Sequence, residues 1–196
     1  MNYKIWKKTS FKNIYIIPPM GDEGSAAGAA IIAAIKAGED LTWLKDKTMP
    51  YFGPSYSREE VLSSIKQFPS ITYEDLSEKW PEEAAKSVSN NSVISIFHGK
   101  MEFGPRALGN RSIIANATDN DAREQINSTI KRRPAYQPFC PSVLENERER
   151  LFENSFEHKH MATAFKMKSE FRDKLSSAIH VDGTARPQFV EYEDNP

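Results

Sequence analysis

Five cationic side chains carry the chemistry this sequence could do. Arg106 and Arg111 lie in Glu102-Phe103-Gly104-Pro105-Arg106-Ala107-Leu108-Gly109-Asn110-Arg111-Ser112, Lys131 and Arg133 follow in Ile130-Lys131-Arg132-Arg133, and Arg186 comes late, in Asp182-Gly183-Thr184-Ala185-Arg186. A guanidinium presents a planar fork of donors that matches carboxylate or phosphate oxygens. Glycines at 99, 104 and 109 let backbone N–H groups approach a ligand closely. Each cation has an ordinary explanation when taken alone. Lys131 suits the C-terminus of a helix, where the macrodipole favours a positive charge, and Arg186 could simply pair with Asp182. Together they resemble a phosphate or carboxylate clamp, because several fixed cations aimed at one anion gain more than scattered surface pairs do.

Other reactive types are sparse. His158 and His160 stand in a charged stretch with no carboxylate or cysteine support and read as solvated surface; His180 beside Asp182 could orient a ligand or fill a strand. The one cysteine, Cys140, excludes an internal disulfide and a multi-cysteine metal site, and between Phe139 and Pro141 it reads as core. No Ser-His-Asp arrangement is suggested by spacing.

The elements that must position these groups can be read from periodicity and punctuation. Val93-Ile94-Ser95-Ile96-Phe97 reads as a buried strand that breaks into the arginine loop and resumes at Ile113-Ile114-Ala115. Ala122, Ile126 and Ile130 form one apolar stripe on a helix expected over residues 119–131. Pro138-Phe139-Cys140-Pro141-Ser142-Val143-Leu144 reads as extended, Met161 to Met167 as a weak strand, and residues 178–181 and 186–190 as the arms of a hairpin about Asp182-Gly183-Thr184. Upstream, Ile14 to Ile17 reads as a short strand stopped by Pro18-Pro19, and a glycine turn then feeds a small-residue helix ending at Gly38. Residues 41–56, punctuated by Pro50, Gly53 and Pro54, read as a linker and domain boundary. Ser57-Arg58-Glu59-Glu60 is a capping box opening a helix with Val61, Leu62 and Ile65 inward, and a second helix is expected from Pro81 to Ser89. Strands and helices mix without strict alternation, which gives an α+β class.

At 196 residues the chain can build one good core, or one domain and part of another. A formal charge of −1 argues against nucleic acid as a partner, while the crowding of Arg106, Arg111, Arg123, Lys131, Arg132 and Arg133 in one third of the chain suits a small anion. Lys4, Lys7 and Lys8 have no apolar core after them, so the N-terminus is no signal peptide, and no membrane span is expected; the sequence reads as cytoplasmic.

The arginine block, Ile130-Lys131-Arg132-Arg133, Pro138-Phe139-Cys140-Pro141-Ser142 and His180-Val181-Asp182-Gly183-Thr184-Ala185-Arg186, in that order, resemble the NodU/CmcH family of O-carbamoyltransferases over residues 14–190. The resemblance implies a fold and a reaction. Residues 1–40 would be the end of an actin/Hsp70-like (ASKHA) domain, and 57–196 a YrdC-like mixed sheet with helices. The YrdC-like domain would join carbamoyl phosphate to ATP as carbamoyl-adenylate, releasing pyrophosphate; the other domain would pass the carbamoyl group to a hydroxyl of a small-molecule acceptor. Arg106, Lys131 and Arg186 would be catalytic. Carbamoyl phosphate and the nucleotide would be held by Arg106, Asn110, Arg111, Ser112, Lys131, Arg133, Ser142, Asp182 and Arg186. Mg2+ would accompany ATP. Asp22, in Gly21-Asp22-Glu23-Gly24, would ligate a divalent metal such as Fe2+ in the ASKHA-like domain.

The sequence departs from the family pattern at Lys100 and Gln137, where arginine is usual, and at Pro134, where glutamate is usual. The upstream histidines and a downstream Asn-Thr-Ser-Phe-Asn segment of the family are not matched. The resemblance therefore implies a partial enzyme that needs a separate N-terminal domain or subunit, or an anion- or partner-binding module derived from the family.

Overall fold

The computed structural model describes residues 1–45 and 47–195. The class is α+β, as expected, and among the described residues the strands fall into three small sheets. Helix α1 (Asn2–Lys8) comes first, then α2 (Asp22–Lys36), α3 (Arg58–Lys66) and α4 (Trp80–Ser89). Strands β1 (Ile94–Phe97) and β2 (Arg111–Ile114) pair antiparallel with Phe97 opposite Arg111. After α5 (Ala122–Gln125) and a π-helical turn (Ile126–Lys131) come β3 (Ser142–Leu144), α6 (Arg148–Leu151), β4 (Phe152–Glu153), β5 (Phe165–Met167), α7 (Ser169–Arg172), β6 (Thr184–Ala185) and β7 (Gln188–Val190). β5 is central between β4 and β6, and β3 runs parallel to β7.

Local signals explain much of this. Ser57 and Glu60 close a reciprocal capping box on α3, although only Leu62 and Ile65 are half-buried and Val61 is exposed. At the end of α2, Gly38 takes φ +81°, and the N–H groups of Gly38 and Glu39 bond to the carbonyls of Ile35 and Ala34, a Schellman closure. The α2 face bearing Ile31, Ile32 and Ile35 is open to solvent.

Four expectations are corrected. Residues 14–17 are not a strand, since among the described residues no partner strand meets them. The stripe on 119–131 holds at Ala122 and Ile126, both buried, but Ile130 is 49% exposed. The π turn rotates each residue less than an α-helix does and carries Ile130 off the buried face. Asp182-Gly183-Thr184 is a tight turn without a hairpin: β6 joins β5 and β7 joins β3, with Pro187, which has no N–H to give, between them. His158 is buried, accepting the Ala162 N–H at 2.8 Å; burial, and then His160, push its pKa down to about 4.

The main core gathers Leu151, Phe152, Phe165, Met167, Ile179, Ala185 and Phe189. Its aromatic rings meet largely edge-on, with Phe156 and Phe165 centroids 5.0 Å apart. Helix α1 docks on this core through Tyr3 against Phe165 and Trp6 against Phe156. A smaller cluster, Met49, Leu108 and Met161, is edged by Tyr51 and Cys140. The segment read as a linker thus contributes to packing, and its residues 50–54 run along 101–103 through the bonds Phe103 N–H to Pro50 O, Gly53 N–H to Met101 O and Met101 N–H to Pro54 O.

Candidate functional site

The arginine loop is the connection between β1 and β2. Its internal order comes from Glu102, 8% exposed, whose Oε1 accepts the N–H groups of Leu108 (2.7 Å), Asn110 (2.8 Å) and Arg111 (3.1 Å). Burial pushes this carboxyl up, but the backbone N–H bonds outweigh it and hold Glu102 below the ordinary carboxylate range. Gly104 at φ +129° and Gly109 at φ +113° take the positive torsions that let the chain wrap around that carboxylate.

The loop's polar side chains divide sharply. Arg111 lies on the Phe97 ring at 3.7 Å and donates to the carbonyls of His98 (2.7 Å), Asn110 (2.9 Å), Gly99 (3.3 Å) and Pro54 (3.4 Å). Asn110 donates to the Lys100 carbonyl at 2.7 Å, and Ser112 Oγ accepts the Gly109 N–H at 2.9 Å. These three hold the loop together. Among the described residues Arg106 makes no such bond: its Nε is buried without a hydrogen-bond partner.

The segment of Arg186 comes up to the arginine loop here, where Gln188 Nε2 donates to the Leu108 carbonyl at 3.0 Å. Arg186 Nε donates to Cys140 Sγ at 3.2 Å, and burial followed by the charge of Arg186 lowers the pKa of Arg106, with Cys140 acting the other way. Among the described residues neither arginine has a carboxylate within 4.0 Å. The pairing of Arg186 with Asp182 does not form. Asp182 instead accepts the N–H and hydroxyl of Thr184 at 2.9 and 2.7 Å and lies 3.2 Å from His180 Nδ1.

The second cationic group is rooted on the neighbouring residue. The Arg133 guanidinium lies on Phe139 at 4.7 Å, and its Nε donates to Asn127 Oδ1 at 2.6 Å. Lys131 is exposed at the end of the π turn, and Arg132 follows in the left-handed region. Phe139 and Cys140 are adjacent, so one extended segment carries the supports of both Arg133 and Arg186. Ser142, two residues on, donates to Gln188 Oε1 at 3.3 Å.

Asp22 stands apart, exposed in the first turn of α2. Among the described residues no group of three or more His, Cys, Asp or Glu side chains is placed to hold a metal ion. Asp22 alone does not make a metal centre.

Sequence reasoning passed over Glu102, Asn127, Tyr51 and Gln188. Asn127 is fully buried and donates to the carbonyls of Ala135 and Gln137 at 3.1 and 2.9 Å, shaping the bend that follows Arg133. Tyr51 donates to the Leu108 carbonyl at 2.9 Å, and its pKa is raised to about 12, chiefly by burial. A signal existed for one of them: Glu102 is a charged residue set between Met101 and Phe103, which must find partners if buried.

Comparison with known proteins gives two family matches, Carbamoyltransferase C-terminus over residues 85–196 and Carbamoyltransferase N-terminus over residues 1–31. The chain is 61% identical over its whole length to 33% of an uncharacterized protein of Methanocaldococcus jannaschii. It is 31% identical to Nodulation protein NolO of Bradyrhizobium diazoefficiens, covering 100% of this chain and 36% of that protein. With Nodulation protein U of the same organism the identity is 30%, over 92% of this chain and 29% of the relative. The chain spans about a third of the length of these relatives. Among the described residues no helix is long and apolar enough to cross a membrane.

Proposed function

Since this chain belongs to the carbamoyltransferase family, we propose that Arg106 and Arg186 hold carbamoyl phosphate, and that Lys131 and Arg133 hold the phosphates of ATP beside it. The product is carbamoyl-adenylate, for transfer to a hydroxyl of a small acceptor. Mass balance requires one water. Water cleaves the mixed anhydride to carbamate and phosphate, and a carbamate oxygen then attacks the α-phosphorus of ATP as pyrophosphate leaves. Mg2+ would enter on the nucleotide phosphates and neutralise part of their charge. The residues of this chain bind and align: two anionic reactants repel each other, and fixed cations offset that repulsion and the charge that builds up between them. Transfer to the acceptor is assigned to the N-terminal part of the family's architecture, as a separate domain or subunit.

The observation that carries this reading is that the Gln188–Leu108 bond of 3.0 Å brings the segments of Arg186 and Arg106 together, with no carboxylate within 4.0 Å of either guanidinium among the described residues and with Arg106 Nε buried and unpaired. Half-buried guanidiniums held near one another are costly unless an anion joins them. Calorimetric titration with carbamoyl phosphate tests it. The unmodified chain should bind, while Arg106→Ala and Arg186→Ala should each weaken binding at least about tenfold, the loss of a charge-assisted hydrogen bond. Melting temperatures should stay close to that of the parent. Equal affinity in Arg106→Ala and the parent would sink the proposal.

A further inference from the structure

The segments bearing Cys140 and Arg186 lie side by side, with Ser142 opposite Gln188 in the parallel β3–β7 pair and the Gln188 N–H on the Pro141 carbonyl at 2.9 Å. Residues two apart on an extended chain share a face. Cys140 and Ser142 therefore share one face of their segment, and Arg186 and Gln188 share one face of theirs. Two rungs result, Arg186 on Cys140 at 3.2 Å and Ser142 on Gln188 at 3.3 Å.

The second rung reaches the arginine loop: the Leu108 carbonyl accepts Gln188 Nε2 at 3.0 Å, and Arg106 stands two residues before Leu108 as Arg186 stands two residues before Gln188. Gln188 is 2% exposed, and its amide is satisfied at both ends: Ser142 fills the oxygen, which leaves the nitrogen aimed at Leu108. Leu108 is thereby gripped at its N–H by Glu102 and at its carbonyl by Gln188 and Tyr51. Of these three, Gln188 alone sits on the strand that Arg186 leads into.

We infer that Gln188 is a positioning residue that sets the separation of Arg106 and Arg186. Two like charges push apart, so an empty pocket needs a tie between the loop and β7 to stay ready for an anion. The Gln188–Leu108 bond is that tie. The inference rests on the reading of the two arginines as the anion pocket.

The test is a double-mutant cycle of Gln188→Met and Arg106→Lys, titrated with carbamoyl phosphate and with inorganic phosphate. Methionine keeps the length and loses both hydrogen bonds. Gln188→Met should weaken binding about tenfold in the parent, one well-made hydrogen bond's worth. On the Arg106→Lys background the same change should cost under about threefold, because a flexible ammonium tolerates a displaced loop where a planar fork does not. Amide exchange at Leu108, Asn110 and Arg111 should accelerate while that of Phe165 and Phe189 holds. Parent-like affinity in Gln188→Met, or equal losses on both backgrounds, would overturn the inference and leave the pocket standing. A parent chain that binds neither probe would overturn the pocket itself, and the role of Gln188 with it.

Discussion

A buried carboxylate is expensive unless its oxygens are filled, and Glu102 fills one of them with three backbone N–H groups. Its folded pKa lies below the ordinary value, so the unfolded chain takes up the proton first as pH falls. The stability it contributes is therefore complete above the unfolded carboxyl pKa, about 4.3, and is lost as pH drops through the folded one. Glu102→Gln should lower stability at pH 7 by about 2 kcal/mol, the scale of hydrogen bonds to a charged acceptor. Urea midpoints of parent and variant should converge in acid; a gap that is constant with pH would mean that the carboxylate's charge does not contribute. Arg106 and Arg111 show where residue type stops being informative. They share one loop, yet Arg111 is consumed by four carbonyls and a ring while Arg106 Nε is buried without a hydrogen-bond partner. That difference depends on which carbonyls converge in three dimensions, and spacing along the chain does not carry it.

Elements with local causes were legible, and those with remote causes were not. The capping box of α3 and the Gly38 closure of α2 depend only on neighbours in sequence, and both form as read. The hairpin at Asp182 has the local turn but lacks the ladder, because residues 178–181 form no strand while β5 takes residues 184–185 and β3 takes residues 188–190, both on the C-terminal side of the turn. Within α2 the glycines separate two roles. A Cβ on Gly28 would meet nothing within 4 Å, whereas one on Gly24 would run into the Pro19 carbonyl oxygen. Gly28→Ala should stabilise the chain by about 0.5–1 kcal/mol, the helix-interior cost of glycine. Gly24→Ala should destabilise it by displacing Pro18-Pro19, whose Pro18 carbonyl also lies against Gly104 of the arginine loop. Thermal unfolding of the pair decides this, and equal shifts would mean that α2 does not need that close approach.

On the scale of the molecule the ends of the chain are tied to its middle. Helix α1 seats Tyr3 and Trp6 on the Phe165 and Phe156 rings, so the first residues complete a core built from the last third of the chain. The C-terminal segment is held by Lys159, whose Nζ lies 2.5 Å from both Glu191 and Asp194 and 3.5 Å from Glu157. Burial pushes the Lys159 pKa down, but Asp194 and Glu191 outweigh it and raise it overall. Thr48 donates to Asp194 at 2.6 Å, and Asn195 reaches Tyr51 and Asn110 at 3.4 Å each. The tail thus leans on the same Tyr51 that bonds Leu108. None of this was legible in the sequence, where Lys159 is one more charge in a stretch that reads as solvated. Lys159→Met leaves Asp194, whose side chain is 6% exposed, as an uncompensated buried charge. The cost should be about 3–5 kcal/mol, as for other buried pairs that lose one partner. Adding Asp194→Asn should recover part of it, because the second partner then no longer carries a charge. Hydrogen exchange should show residues 191–195 opening in Lys159→Met, together with weaker protection of Leu108, since Asn195 would no longer steady Tyr51. If the tail opens and Leu108 keeps its protection, the tail is a fastening for the fold alone and has no hold on the arginine loop.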